Sequence, residues 1–288
     1  MKNEIIEPRH KAISKEIVLK HNEKIAYEDV NSVLSKIFTN FEYAKKLTGG
    51  RISGVYKFFH KSNHTVLKYS MGTYRMTELA RESRVLKYLN HTEVKDIVPK
   101  IRNFEIENKH QFAYLLLDYI EGQTVRQILE ETPQSGKLQE TWEKVGEAIS
   151  KIHKLFIKDD ENCEWLNNQL KVAETNMINH LIDLEDYGEE DPAELLQWLI
   201  SNKPKKSIKT IIHGDFRTKN IMVDRNNQIK IIDWGFVDIG DPLYDLAVID
   251  YYFTNDLERE SFYKGYSICQ YDKDIIDYFD KLSWFINV

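Results

Sequence analysis

The chain has 288 residues, of which 42% are hydrophobic and 12% aromatic, enough apolar material for a sizeable core and too much for a disordered chain. Its net charge of −6 comes without a basic stripe, which argues against nucleic acid, whose binding needs Lys and Arg to displace counterions. The opening MKNEIIEPRHKAISKE lacks the apolar stretch of a signal peptide, the apolar run Tyr114–Leu117 is far too short to cross a bilayer, and the two cysteines, Cys163 and Cys269, have no metal-ligand spacing, so a reduced, cytoplasmic protein is expected.

In chain order, residues 1–24 form a polar lead-in. Val30, Val33, Leu34, Ile37, Phe38 and Phe41 then predict an amphipathic helix over 27–43. Strand-like segments follow at 52–59 and 64–70, a helix at 75–90, and two more strands at 101–106 and 112–118. The run Leu115-Leu116-Leu117-Asp118-Tyr119-Ile120-Glu121-Gly122 passes from apolar to polar and ends on glycine, as a link between two lobes would. Beyond it the pattern predicts helices at 124–131, 139–157, 165–186 and 192–201, hairpins at 210–233, and helices at 242–253, 256–270 and 272–286. A β-rich first part and a helical second part predict an α+β fold, divided into 1–117 and 118–288 with the link at about 118–122.

Residues 213–235 read HGDFRTKNIMVDRNNQIKIIDWG. Asp215, Asn220 and Asp233 stand at the edges of short apolar runs that read as strands, and Asn226-Asn227 is a turn candidate between the last two. Two carboxylates and one amide oxygen suit Mg²⁺, a hard cation that takes oxygen ligands and borrows phosphate oxygens. The pattern is that of phosphoryl transfer, with one Asp for the substrate hydroxyl and an Asn and an Asp for metal. The bland alternative is a hairpin with turn-forming Asp and Asn.

This stretch resembles the aminoglycoside phosphotransferase family, whose members have HGD and IDWG where protein kinases have HRD and DFG and which includes kinases of choline, homoserine, thiamine, fructosamine and macrolides. The likeness continues through Phe236 to Ala247, FVDIGDPLYDLA. It implies a bilobal, protein-kinase-like fold with a β-rich nucleotide-clamping lobe and a mainly helical catalytic lobe. It also implies that Asp215 orients the acceptor hydroxyl and takes its proton late, and that Asn220 and Asp233 hold Mg²⁺ against the phosphates of ATP or GTP. His213 fits a structural role better than proton carriage. Arg217 and Lys219 are open between phosphate contacts and solvated loop residues. Asp241-Pro242 reads as a helix N-cap and first-turn proline, and Asp245 matches the family position that braces the catalytic loop from behind.

Upstream, Leu79, Glu82, Leu86 and Leu89 share one helical face, and a carboxylate inside an apolar stripe needs a cation. Lys68, on the strand Thr65-Val66-Leu67-Lys68-Tyr69, can supply it; Glu78, one turn back from Glu82, is the second candidate acid. By resemblance Lys68 holds the α- and β-phosphates. Residues 47–57, with Gly49, Gly50 and Ser53, suit a phosphate-covering loop, although GG turns between strands are also ordinary. By resemblance again, Asp118, Tyr119 and Ile120 line the nucleobase slot.

Residues 159–195 carry twelve Asp or Glu and one basic residue, Lys171. In the resembling enzymes the acceptor binds over this region, and such a field favours a cation. Aminoglycosides, polyamines bearing hydroxyls, fit it, with Glu185, Asp186, Glu189, Glu190 and Asp191 as candidate contacts and Asp238 nearer the metal; a solvated helix face is the alternative. Choline is also cationic, and Trp234, Tyr244, Tyr251, Tyr252 and Trp284 are aromatic candidates for it. The expectation is therefore a kinase that O-phosphorylates an aminoglycoside antibiotic and so confers resistance, a monomer whose partner is a small cationic hydroxyl acceptor, with no nucleic acid and no membrane. The alternatives are a metabolic kinase of choline, thiamine or homoserine, and a nucleotide-binding regulator without turnover.

Overall fold

The computed structural model describes residues 43–46, 54–60, 63–107, 112–131, 137–156, 158–160, 162–188, 190–267 and 272–286. The expected helix at 27–43 lies outside these except for Tyr43, which starts a strand, and Gly49, Gly50 and Ser53 lie outside them altogether. The chain divides into two compact units. The first takes the described residues up to Gly122 together with Asp224–Phe236; the second takes Gln123–Val223 and the described residues from Val237 onward. The sequence-based division at 117/118 differs from this because Lys230 Nζ donates to Asp96 O at 2.6 Å and Ile231 N to Ile97 O at 2.7 Å, tying the later segment to the turn that precedes Pro99.

The first unit is an antiparallel sheet of β1 (Tyr43–Lys46), β2 (Gly54–His60), β3 (Asn63–Met71), β4 (Ile101–Glu107) and β5 (Phe112–Asp118), in the order β1-β2-β3-β5-β4. Strand β5, between β3 and β4, is apolar and buried from Phe112 to Leu117, as expected of a strand covered on both faces. Lys68 pairs with Leu115 on β5 and with Val55 on β2, so one buried cation stands in an apolar sheet face. Helix α1 (Thr73–Leu89) packs on β3, β4 and β5 and buries Leu79, Val85, Leu86 and Leu89. It ends at Asn90, whose side chain closes the following turn by donating to Pro99 O at 3.1 Å and accepting from Ile101 N at 2.9 Å.

The second unit is helical: α2 (Val125–Glu131), α3 (Lys137–Lys154), α4 (Glu164–Ile178), α5 (Pro192–Ser201), α6 (Pro242–Asp250), α7 (Asp256–Tyr266) and α8 (Lys273–Ile286). The helix expected at 165–186 stops at Ile178. His180 enters the left-handed region at φ 56, and Leu181 N turns back to Asn176 O, which closes the helix end; Leu184–Tyr187 is a separate single turn. Asp241 caps α6 as expected, accepting from Leu243 N at 2.9 Å and from Ser207 Oγ at 2.7 Å. The tightest helix pair is α3 with α7. A Cβ on Gly265 would lie 1.9 Å from Glu143 O and one on Gly146 2.1 Å from Phe262 O, so only glycine permits this approach. The strand Ile208–Ile212 pairs antiparallel with Lys158–Asp159 and with Asp238–Gly240, a strand that periodicity did not indicate.

Candidate active site

Each unit carries one cluster of the expected residues. In the first, Lys68 Nζ lies 2.6 Å from Glu82 Oε1 and 2.7 Å from Asp233 Oδ1. Trp234 N also donates to Glu82 Oε1, at 3.2 Å, so the second acceptor role of that oxygen is filled by backbone. Burial opposes the Lys68 charge, but Asp233 and then Glu82 outweigh it and raise the lysine pKa. Glu82 is raised by burial, with Lys68 opposing and Asp233 adding to the rise. Two carboxylates share one ammonium, and the unbalanced charge faces outward at Asp233, whose side chain is 44% exposed. Asp233 has φ 67, a left-handed conformation that Asp tolerates better than most residues, and this turn delivers Trp234 into the core. Glu78, the second candidate acid, is buried but is not the partner that Lys68 takes.

At the other end of β5, Asp118 pairs with Arg102, Tyr119 lies under Lys57 Nζ at 3.9 Å and edge-on to His64, and Ile120 is half-buried.

In the second unit, the strand Ile208–Ile212 ends at His213, and the backbone turns through Gly214 at φ 78. Asp245, fully buried on α6, accepts from His213 N at 2.6 Å and Gly214 N at 2.9 Å. This is the bracing role its place in the sequence implied. His213 is wholly buried and its Nδ1 accepts from Asp215 N at 3.2 Å, a structural use. The Asp215 carboxylate then meets three donors: Arg217 Nε at 2.7 Å, Lys219 Nζ at 3.1 Å and Asn220 Nδ2 at 2.9 Å. Asn220 Nδ2 also donates to Asp215 O at 2.8 Å, so its amide oxygen is the atom left for another partner. Arg217 and Lys219, open from sequence alone, thus bear directly on the Asp215 carboxylate. Beside them a cavity of about 440 Å³ is lined by Arg126, Leu129, Glu130, Thr218, Lys219 and Tyr252, within the size range of small-molecule sites.

The acceptor candidates disperse. Glu185 and Asp186 belong to the turn Leu184–Tyr187, and Glu189 lies outside the described residues. Glu190 pairs with Lys281 at 2.6 Å, and Asp191 caps α5 by accepting from Ala193 N and Glu194 N. Asp238 is buried and accepts from Trp165 Nε1 at 3.3 Å. Among the aromatic candidates, Trp234 and Tyr244 are core residues, whereas Tyr251 is exposed and Tyr252 borders the cavity. Sequence reasoning missed two residues behind the loop: His153 Nε2 lies 3.2 Å from Asp245 Oδ2, and His153 Nδ1 lies 2.8 Å from Tyr266 Oη. A histidine in the apolar stripe of α3, beside Ile149 and Ile152, was the available signal.

For the metal, an amide oxygen on Asn220 and an exposed carboxylate on Asp233 are hard oxygen donors of the right kind for Mg²⁺. Among the described residues, no group of three or more His, Cys, Asp or Glu could by itself hold a metal ion. No helix among the described residues is long and apolar enough to cross a membrane.

The model of the APH phosphotransferase enzyme family matches residues 44–272. An aminoglycoside 3'-phosphotransferase from Escherichia coli is 28% identical over 234 residues, covering 76% of this chain and 80% of that protein. The fold is shared with the crystal structure of an aminoglycoside-3'-phosphotransferase of type VIII, at TM-score 0.66 and 17% identity over 88% of this chain and 98% of that one. It is shared too with the aminoglycoside phosphotransferase APH(4)-Ia in a ternary complex with ADP and hygromycin B, at TM-score 0.63 and 15% identity over 89% of each chain. A kinase-like α+β fold, an aspartate braced at the head of the HGD loop and a family match over most of its length place this chain in the APH phosphotransferase enzyme family.

Proposed function

We propose that this chain transfers the γ-phosphoryl group of ATP or GTP to a hydroxyl of an aminoglycoside. The observation that carries the reading is the Asp215 carboxylate, buried, braced through Asp245 and set beside a cavity of small-molecule size. In this reading an acceptor hydroxyl displaces one of the cations on Asp215 and donates to the carboxylate. Its oxygen then attacks the terminal phosphorus as the bond to the bridging oxygen breaks, and the nucleoside diphosphate leaves with the electron pair. Asp215 takes the proton late, because a loose transition state asks more for positioning than for base strength. Lys68, held in place by Glu82, is assigned to the α- and β-phosphates, and Asn220 and Asp233 to Mg²⁺, which when bound neutralises charge on the phosphates. The loop containing Gly49, Gly50 and Ser53 is assigned to covering those phosphates, and Asp118, Tyr119 and Ile120 to the nucleobase. Support for the aminoglycoside comes from the activities named for the relatives and from the acidic segment 159–195. Within that segment Glu185, Asp186, Glu189 and Glu190, with Asp238, remain the assigned contacts.

One observation favours a different acceptor. The cavity beside the Asp215 loop has its one lining acid, Glu130, paired with Arg126 and adds Lys219, which disfavours a polycation and suits a smaller alcohol without net positive charge, of the homoserine kind. A panel of aminoglycosides, choline, thiamine, homoserine and macrolides, assayed for acceptor-stimulated release of ADP from Mg-ATP or GDP from Mg-GTP, separates the readings. Stimulation by an aminoglycoside supports the first reading and stimulation by a small alcohol the second; nucleotide binding without any stimulation points to a regulator.

A further inference from the structure

We propose that Tyr266 and His153 are positioning residues for phosphoryl transfer, fixing the catalytic loop through Asp245; this rests on the reading of Asp215 given above. The line begins where α3 and α7 touch at Gly146 and Gly265. Tyr266 follows Gly265 and is tied to α3 twice, through Ser150 Oγ donating to its carbonyl at 3.0 Å and through its hydroxyl at His153 Nδ1. His153 is 3% exposed, and its own carbonyl accepts from Thr210 Oγ on the strand that leads into the HGD loop.

The chemistry assigns each proton. The Asp245 carboxylate only accepts, so His153 Nε2 carries the hydrogen between them. The tautomer with its hydrogen on Nε2 presents Nδ1 as an acceptor, to which the Tyr266 hydroxyl donates. Burial, reinforced by Asp245 and Asp241, raises the Tyr266 pKa and keeps that hydroxyl protonated. The direction of the line is thus Tyr266 to His153 to Asp245, whose oxygens end on the amides of His213 and Gly214. Gly214, at φ 78, is a point of backbone freedom immediately before Asp215. Holding the two amides restrains that freedom, and small misplacements of a reacting group are costly to rate. Neither residue lies within residues 213–247, and neither belongs to the clusters at Lys68 or Asp215.

Tyr266→Phe tests this, since it keeps the ring and loses only the hydroxyl. The expected result is a fall in kcat of about tenfold with KM for nucleotide and acceptor within about twofold. Amide hydrogen exchange at His213 and Gly214 should quicken by about tenfold, with the global unfolding midpoint little moved. His153→Gln, whose amide still donates to Asp245, should retain more activity than His153→Ala. A Tyr266→Phe protein with unchanged kcat and unchanged exchange at both amides overturns the proposal. If the wild-type chain phosphorylates no acceptor, the functional reading fails and with it the role in transfer, and exchange alone decides whether the pair fixes the loop: faster exchange upholds that restraint and unchanged exchange refutes it.

Discussion

Lys68 and Glu82 form a buried ion pair at 2.6 Å across fourteen residues of chain. Removing one partner leaves an uncompensated buried charge, which costs about 3–5 kcal/mol. Lys68→Met should therefore destabilise by that order, and Lys68→Met combined with Glu82→Leu by less than the single change. Urea denaturation of the wild type, Lys68→Met, Glu82→Leu and the double variant checks this, and strictly additive losses would contradict it. Nucleotide affinity should be weakened in both variants that lack Lys68, because repacking restores the core and not the ammonium.

Asp215→Asn keeps the shape of the side chain and removes its charge. We expect kcat to fall about 10²- to 10⁴-fold while the nucleotide Kd stays within about threefold. Steady-state kinetics and calorimetric nucleotide titration measure the two quantities, and turnover at the wild-type rate would remove Asp215 from the mechanism.

Alanine is ordinarily a better helix residue than glycine by about 1 kcal/mol. At Gly265 the sign should reverse, because the added Cβ meets the Glu143 carbonyl, a backbone atom with little room to move. Gly265→Ala should destabilise by about 3 kcal/mol and lower the melting temperature. A thermal melt showing stabilisation would mean that α3 and α7 are farther apart than described.

Asp280 gives a pH dependence of defined sign. Burial, then Asp277 and Asp250, push its carboxyl up to about 6, with Lys281 and Trp284 opposing. An acid that binds its proton more tightly in the folded state loses stability as pH rises from the ordinary aspartate range to about 6, and the loss is level above that. Asp280→Asn should accordingly raise the denaturation midpoint at about pH 7.5 and leave it nearly unchanged at about pH 4. An equal effect at both pH values would place the origin elsewhere.

The legible parts of the site share a local signature. Glu82 in a leucine stripe demands a cation, and Lys68 is the strand residue within reach; HGD with Asn220 at its spacing marks the candidate catalytic loop. Less was visible for Asp233, which joins Lys68 across 165 residues, and for His153 and Tyr266, which meet across 113. In the acidic segment Asp191 caps a helix and Glu190 pairs with Lys281, uses that a charge count does not distinguish from substrate contact.

Periodicity and turn chemistry act over a few residues, so the strands β2 to β5, helix α1, the Asp241-Pro242 helix start and the hairpin turn at Asn226-Asn227 could be read from the chain directly. Where α4 stops, that Asp224–Phe236 joins the first unit, and which donors crowd Asp215 depended on contacts between distant segments. Such contacts form only once the backbone has folded, because the energy of a buried charge or an unmet hydrogen bond is set by whichever groups the fold brings within about 3 Å of it.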